Sequence, residues 1–220
     1  GTNLSATTRA WTSADFVGPA APTSLDNVSV RVGGASAFVA YVSPGQINAQ
    51  LPSSLSAGPQ TLTVTTSSGT SANYGLTINA LQPGLLAPPA FTVGGRLHAA
   101  VLFPDGVTFV LPPGALPGVA SRRARPGDTI TLYGIGFGPG SPAVAAGTTT
   151  PGVNTLANAF QLFLGGVRAN TAYAGLAPGA VGLYQFNVVV PNVPASDTTP
   201  LTFTLGNTSG AQTLVLAIQN

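Results

Sequence analysis

The stretch Tyr41-Val42-Ser43-Pro44-Gly45-Gln46-Ile47-Asn48-Ala49-Gln50-Leu51-Pro52 returns later in altered form. Its second version is Pro178-Gly179, then Leu183-Tyr184-Gln185-Phe186-Asn187-Val188-Val189-Val190-Pro191. Both versions contain Pro-Gly, then Gln-x-Asn on an alternating apolar run, then a proline four residues after the asparagine. Period-two alternation ahead of a proline reads as a strand with one buried face. Two such strands, each preceded by a turn, point to a duplicated β-domain.

Working outward, the two halves match in order. Val32-Gly33-Gly34 matches Leu164-Gly165-Gly166, and Ala40-Tyr41 matches Ala172-Tyr173 at the same spacing after the glycine pair. Leu62-Thr63-Val64-Thr65 matches Leu201-Thr202-Phe203-Thr204. At the front, Gly1-Thr2-Asn3-Leu4 matches Gly134-Ile135-Gly136-Phe137. Repeated order over this length argues for two copies of one domain. In the second copy, Asp128–Tyr133 reads as a strand leading into the glycine bend, and the first copy shows no counterpart ahead of Gly1. Two readings follow. The favoured one is a boundary cut through the first copy. The other is a strand supplied from elsewhere, since an unpaired edge is a site for strand addition.

Helical periodicity is nearly absent. Twenty Pro and 28 Gly separate short runs rich in Val, Thr, Leu, Phe and Tyr. The expected fold class is therefore all-β: two tandem immunoglobulin-like β-sandwiches joined by a β-hairpin-containing linker. The first sandwich is expected over residues 1–80, a Pro-rich linker with hairpins over 81–126, and the second sandwich over 127–220. Gly94-Gly95 and Pro104-Asp105-Gly106 are the expected turns of the linker.

Composition restricts function further. Charged residues make up 5 % of the chain, against about 25 % in ordinary soluble domains. All seven basic residues are Arg, all five acids are Asp, and Lys, Glu and Cys are absent. A net charge of +2 gives no basic nucleic-acid surface. Lack of cysteine excludes disulfides and thiolate metal sites. No apolar run is long enough for a helical membrane span. A nearly uncharged surface with mean hydropathy +0.36 suggests coverage by copies of the same protein or by the rest of a longer one.

Several motifs also resemble a known family. Ser43–Pro52, Pro126-Gly127-Asp128 with Tyr133–Pro139, and Tyr173–Gly179 running on to Gly182–Asn187 are similar to the signature of an uncharacterised C-terminal domain family of large secreted acidobacterial proteins. The strand followed by Gly136-Phe137-Gly138 also resembles the start of IPT/TIG-type immunoglobulin-like domains. The resemblance implies sandwiches on a secreted or cell-surface bacterial protein. It implies no catalytic residues and no cofactor.

Gln46 with Asn48, and Gln185 with Asn187, each share one strand face. They are expected to be structural amides pinning the backbone of neighbouring loops, with Tyr41 and Tyr173 as part of the same motif; a ligand site is the alternative. Gly134, Gly136, Gly138 and Gly140 form a bend between strands, because neither a helix pattern nor a Lys follows as a phosphate loop requires. His98, the only histidine, is expected at the surface, and it cannot build a zinc site alone. The five aspartates are scattered, which disfavours calcium and paired-carboxylate chemistry. Trp11 is expected to plug a core end, with sugar stacking as the alternative. Arg122, Arg123 and Arg125 are expected in a solvated linker, with a glycan or neighbouring subunit as the alternative partner. The leading expectation is a non-enzymatic extracellular structural protein. It would be a building block of a surface assembly such as a filament, or a terminal module; an adhesin or glycan-binding module is the second reading.

Overall fold

The computed structural model describes residues 1–220 and consists of strands and turns. Two single-turn 3-10 segments, Ser13–Asp15 and Pro89–Phe91, are present and no α-helix is. The density of Pro and Gly dictates this, since both terminate helices and tolerate tight turns. The chain divides into two compact units. Unit 1 comprises Gly1–Ala80, Val144–Gly152 and Pro178–Gly182. Unit 2 comprises Leu81–Ala143, Val153–Ala177 and Leu183–Asn220.

Unit 1 contains β1 (Arg9–Ala10), β2 (Val28–Val32), β3 (Phe38–Val42), β4 (Ile47–Gln50), β5 (Gly58–Thr66) and β6 (Tyr74–Ile78). One sheet has the order β1-β3-β4, and the other places β5 between β2 and β6. β2 buries Val28, Val30 and Val32 while Arg31 faces solvent, as its alternation requires. Gly33-Gly34 turns β2 into the short strand Ala35–Ser36, both glycines having positive φ. The core of this unit is small. Leu25, Val28, Val39 and Val42 form one cluster, and Val30, Val32 and Ala37 another.

Unit 2 contains β7 (Gly84–Leu85), β8 (Val101–Leu102), β9 (Phe109–Val110), β10 (Ser121–Arg122) and β11 (Thr129–Ile135). It continues with β12 (Phe160–Leu164), β13 (Asn170–Leu176), β14 (Tyr184–Val189), β15 (Ser196–Leu205) and β16 (Leu214–Ile218). One sheet runs β10-β9-β8-β11-β14-β13, with β7 also paired to β11. The other places β15 between β12 and β16. Between the sheets lies one continuous core. At its centre Phe137, fully buried in the glycine bend, contacts Phe186 at 4.6 Å and Phe203 at 5.4 Å between ring centroids.

The repeat seen in the sequence is a repeat of structure. In both copies the matched strands pair in the same register, Val32 opposite Leu62 and Leu164 opposite Leu201. The Ala40-Tyr41 and Ala172-Tyr173 matches mark a β-bulge. The register of β3 on β4 shifts between Val39 and Tyr41, and that of β13 on β14 between Thr171 and Tyr173. One extra residue bends the strand and places Tyr41 opposite Asn48 and Tyr173 opposite Asn187.

Residues 81–126 behave differently from a free linker. Both expected turns form, closing Thr92–Val93 on Arg96–Leu97 and Leu102 on Phe109. The segment is nevertheless hydrogen-bonded into unit 2 along two edges. β7 and β8 cover the outer edge of β11, while Ala99 N–H donates to Val215 O and Ala124 N–H to Ala217 O along β16. Its apolar content explains this, because Leu85, Ala99, Val101, Phe103, Val110, Leu111 and Ala124 are all buried. His98 is carried inward with them. It is 1 % exposed, which corrects the expectation of a surface histidine.

Candidate functional site

The two amide pairs occupy equivalent strand positions but bond differently from expectation. Gln46 Nε2 donates to Asn48 Oδ1 at 2.6 Å, and Gln185 Nε2 to Asn187 Oδ1 at 2.9 Å. Each pair is closed along its own strand and does not pin a loop, because two residues apart on one face the longer glutamine reaches the shorter asparagine. Asn187 also accepts from the Thr131 hydroxyl at 3.2 Å, a bond supplied by β11. The Tyr173 hydroxyl donates to Leu176 O at 2.6 Å, fastening the end of β13 to itself. Tyr41 is half-buried on β3, opposite Asn48 on one side and Ala10 on the other.

The arginines of the cluster lie at the surface, Arg122 and Arg125 exposed and Arg123 half-buried, and each has a partner within unit 2. Arg122 pairs with Asp128 at 2.8 Å and lies over the Phe103 ring at 3.5 Å. Arg123 grips Asp197 with two parallel bonds, Nε–Oδ1 at 2.5 Å and Nη2–Oδ2 at 2.9 Å. Arg125 Nε lies 2.9 Å from the end of the Gln219 side-chain amide, a bond made with the amide turned so that its oxygen faces the guanidinium, while the Arg125 backbone N–H donates to Asp128. In unit 1, Arg9 joins Asp15 at 2.9 Å and Asp26 at 2.8 Å.

Every carboxylate is consequently engaged within the chain. Hydrogen bonds from Arg9 and from the Thr12 N–H hold Asp15 well below the usual carboxylate range. Arg9 and the Thr7 hydroxyl lower Asp26. Arg123 lowers Asp197. Burial would raise Asp128, but the bonds from Arg122 and the Arg125 N–H outweigh it. Asp105 is lowered by the Thr108 hydroxyl and by the N–H groups of Thr108 and Val107, which cap the turn. None of the five is left raised and unpartnered, as a general acid requires.

Trp11 is half-buried at the edge of the unit 1 core. It packs against the cluster of Leu25, Val28, Val39 and Val42 and meets Phe16 edge-to-face at 5.2 Å. The same ring lines an open cleft of about 360 Å³ with Thr12, Ser13, Phe16, Gly18, Thr149 and Gly179, all within unit 1.

The largest difference between the copies lies at one strand edge. β14 pairs with β13 on one side and with β11 on the other, whereas β4 pairs with β3 alone. Phe186 and Val188 on β14 are fully buried; their counterparts on β4 are Ile47, half-buried, and Ala49, exposed. Leu62, Val64, Leu76 and Ile78 on the facing sheet are likewise only half-buried.

Three buried or partly buried polar side chains do structural work: His98, expected at the surface, and Asn154 and Gln212, which carry no sequence signal. His98 Nε2 lies 2.9 Å from Asp197 O and Nδ1 lies 3.1 Å from Arg96 O, inside the packed segment. Asn154, 2 % exposed, donates to Pro142 O at 3.1 Å and accepts from Leu176 N–H at 2.8 Å. Gln212 pairs with the backbone of Leu85. Nothing local marks these residues: apart from Arg96, two positions from His98, their partners are 12, 22, 99 or 127 positions away.

The family model of the IPT/TIG domain matches residues 1–78, most of the first sandwich. No curated protein and no solved structure was found similar to the chain. IPT/TIG domains are immunoglobulin-like, generally non-catalytic, and often occur in extracellular or surface proteins. No helix here is long and apolar enough to cross a membrane. Residues 1–78 are thus similar to an IPT/TIG domain, within a chain that folds as immunoglobulin-like β-sandwich.

Proposed function

We propose that this protein is a non-enzymatic extracellular structural module, a tandem immunoglobulin-like building block of a bacterial cell-surface assembly or the terminal module of a longer secreted protein. The observation that carries the reading is the state of its charges. Four of the five aspartates are locked in arginine ion pairs and the fifth caps its own turn. What remains for contact is a Thr, Ser, Asn, Gly and Ala surface on which Arg31, Arg96 and Arg168 are exposed without a carboxylate partner, a low charge density that leaves little repulsion between copies. Partners are then copies of the same chain or the remainder of a longer one. Electron microscopy of native material, paired with intact mass, tests this. Ordered polymers of the 21.8 kDa chain support a building block, and a larger intact mass supports a terminal module. A 21.8 kDa chain that stays monomeric at high concentration overturns both.

A glycan-binding adhesin is the second reading, favoured by the Trp11 cleft alone. Its aromatic wall and the hydroxyls of Thr12, Ser13 and Thr149 suit a sugar face. Arg123 adds little to it, being committed to Asp197. Binding on a glycan array that is lost in Trp11→Ala would establish this reading, and a blank array would remove it.

A further inference from the structure

We propose that the outer edge of β6 is a self-association site, at which β6 of a second copy of this chain pairs antiparallel about a two-fold axis. The inference rests on the building-block reading and names the surface through which copies meet.

Backbone direction comes first. β6 lies at the end of its sheet, paired with β5 alone. Gly33 N–H donates to Thr61 O at 2.9 Å, so Thr61 directs its polar groups toward β2. Gly75, opposite Thr61, therefore directs its own away from β5, and alternation gives Thr77 the same direction. Thr77 stands opposite Pro59, which has no N–H to donate. Unit 2 carries the same arrangement in covered form. Leu62 opposite Tyr74 corresponds to Leu201 opposite Leu214, so Gly75 and Thr77 correspond to Val215 and Ala217. Val215 O accepts from Ala99 N–H at 3.3 Å, and Ala217 O from Ala124 N–H at 3.0 Å. Every residue of β16 is buried, whereas Tyr74, Gly75 and Thr77 are exposed and Leu76 and Ile78 are half-buried.

The residues that cover β16 are bonded there, so β6 is left to a backbone from elsewhere. Its chemistry commits that backbone to a second copy. No charged residue occurs between Arg31 and Arg96, and β6 contains no proline. Both β6 and β5 beside it thus lack the devices that keep an edge from pairing with its own kind. The charges of unit 1, Arg9 and Arg31 with Asp15 and Asp26, balance, so two copies of it meet without net repulsion. The strand is also self-complementary. With Leu76 opposite Leu76 of the second copy, Gly75 exchanges both backbone bonds with Thr77 of that copy, and Thr77 with its Gly75. Every outward polar group of these residues is then satisfied. On the face that packs toward the core, Tyr74 lies opposite Ile78 of the second copy, an aromatic–β-branched pair, and Ile78 opposite its Tyr74.

The chain has no cysteine, so a single introduced one reports the register. Leu76→Cys, at the two-fold, should give a disulfide-linked dimer on mild oxidation, whereas Thr77→Cys, opposite Gly75, should stay unlinked. In the unsubstituted chain, exchange of the Gly75 and Thr77 amides should slow by about tenfold or more between roughly 10 μM and 1 mM protein. Thr77→Pro removes an outward N–H and no bond within the chain, so it should abolish the slowing at Gly75 in a protein that melts at about the same temperature. Exchange at Gly75 and Thr77 that does not change with concentration overturns the proposal, as does equal linking of the two cysteine variants. Ordered polymers in which these two amides exchange freely overturn it and leave the building-block reading standing. Dimers that form through this edge and assemble no further leave the inference standing and remove the ordered polymer.

Discussion

The side-chain amide of Gln212 is hydrogen-bonded twice to the backbone of Leu85: Leu85 N–H donates to Oε1 at 2.7 Å, and Nε2 donates to Leu85 O at 2.9 Å. The amide thus stands in for a neighbouring strand residue. It satisfies both polar groups of a residue whose side chain is buried beside β11. Gln212→Leu keeps the volume and orphans both groups. It should lower stability by about 1–3 kcal/mol, measured by denaturant unfolding with an unchanged m-value.

The two Gln-x-Asn pairs should differ in cost although their sequences match. Asn187 is half-buried and accepts from both Gln185 and Thr131, whereas Asn48 is exposed and accepts from Gln46. Asn187→Ala should cost about 1 kcal/mol or more. Asn48→Ala should stay within about 0.5 kcal/mol, as for other exposed sites. Equal losses in paired unfolding curves would refute the difference.

Within the glycine bend, Gly136 combines a left-handed backbone with the closest backbone approach. Its φ is +77°, and a Cβ there would lie 2.1 Å from the carbonyl oxygen of Gln82. Gly136→Ala should cost roughly 2 kcal/mol or more, since both left-handed strain and a backbone clash oppose it. Gly45 has nothing within 4 Å of a built Cβ and no positive φ. Gly45→Ala should therefore be close to neutral in the same thermal melts.

Acid should weaken the fold through the arginine–aspartate pairs. Asp15, Asp26, Asp128 and Asp197 all titrate below the ordinary aspartate value of 3.8. A carboxylate depressed in the folded state stabilises it above the unfolded value and loses that contribution as pH falls through the folded one. Unfolding temperature should be nearly flat from neutral pH to about pH 5, then fall progressively below about pH 4. Arg9→Gln should flatten the part of that slope due to Asp15 and Asp26, as read by melts across the pH series.

Much of the fold was legible because its signals are local. Alternation in Val28–Val32, the Gly33-Gly34 and Gly165-Gly166 turns, and the Gln-x-Asn strands are each contained within a few residues. The repeat made them mutually supporting; the matched Ala-Tyr spacing was visible, but that it marks a bulge emerged only from the strand register. The site was less legible. Arg122, Arg123 and Arg125 read as free charges because the partners of two of them, Asp197 and Gln219, lie far along the chain. His98 alternates with apolar neighbours as an exposed strand residue would. Its burial depends on carbonyls that converge only when the segment folds.

The amino-acid order settled an all-β fold, two copies of one sandwich, and a surface nearly free of charge, since each follows from periodicity, punctuation and counts. Folding in three dimensions settled which edges are covered. Residues 81–126 shield both β11 and β16 in unit 2. Strand edges are closed by hydrogen bonds between residues distant in sequence, and no local pattern encodes which distant backbone will arrive.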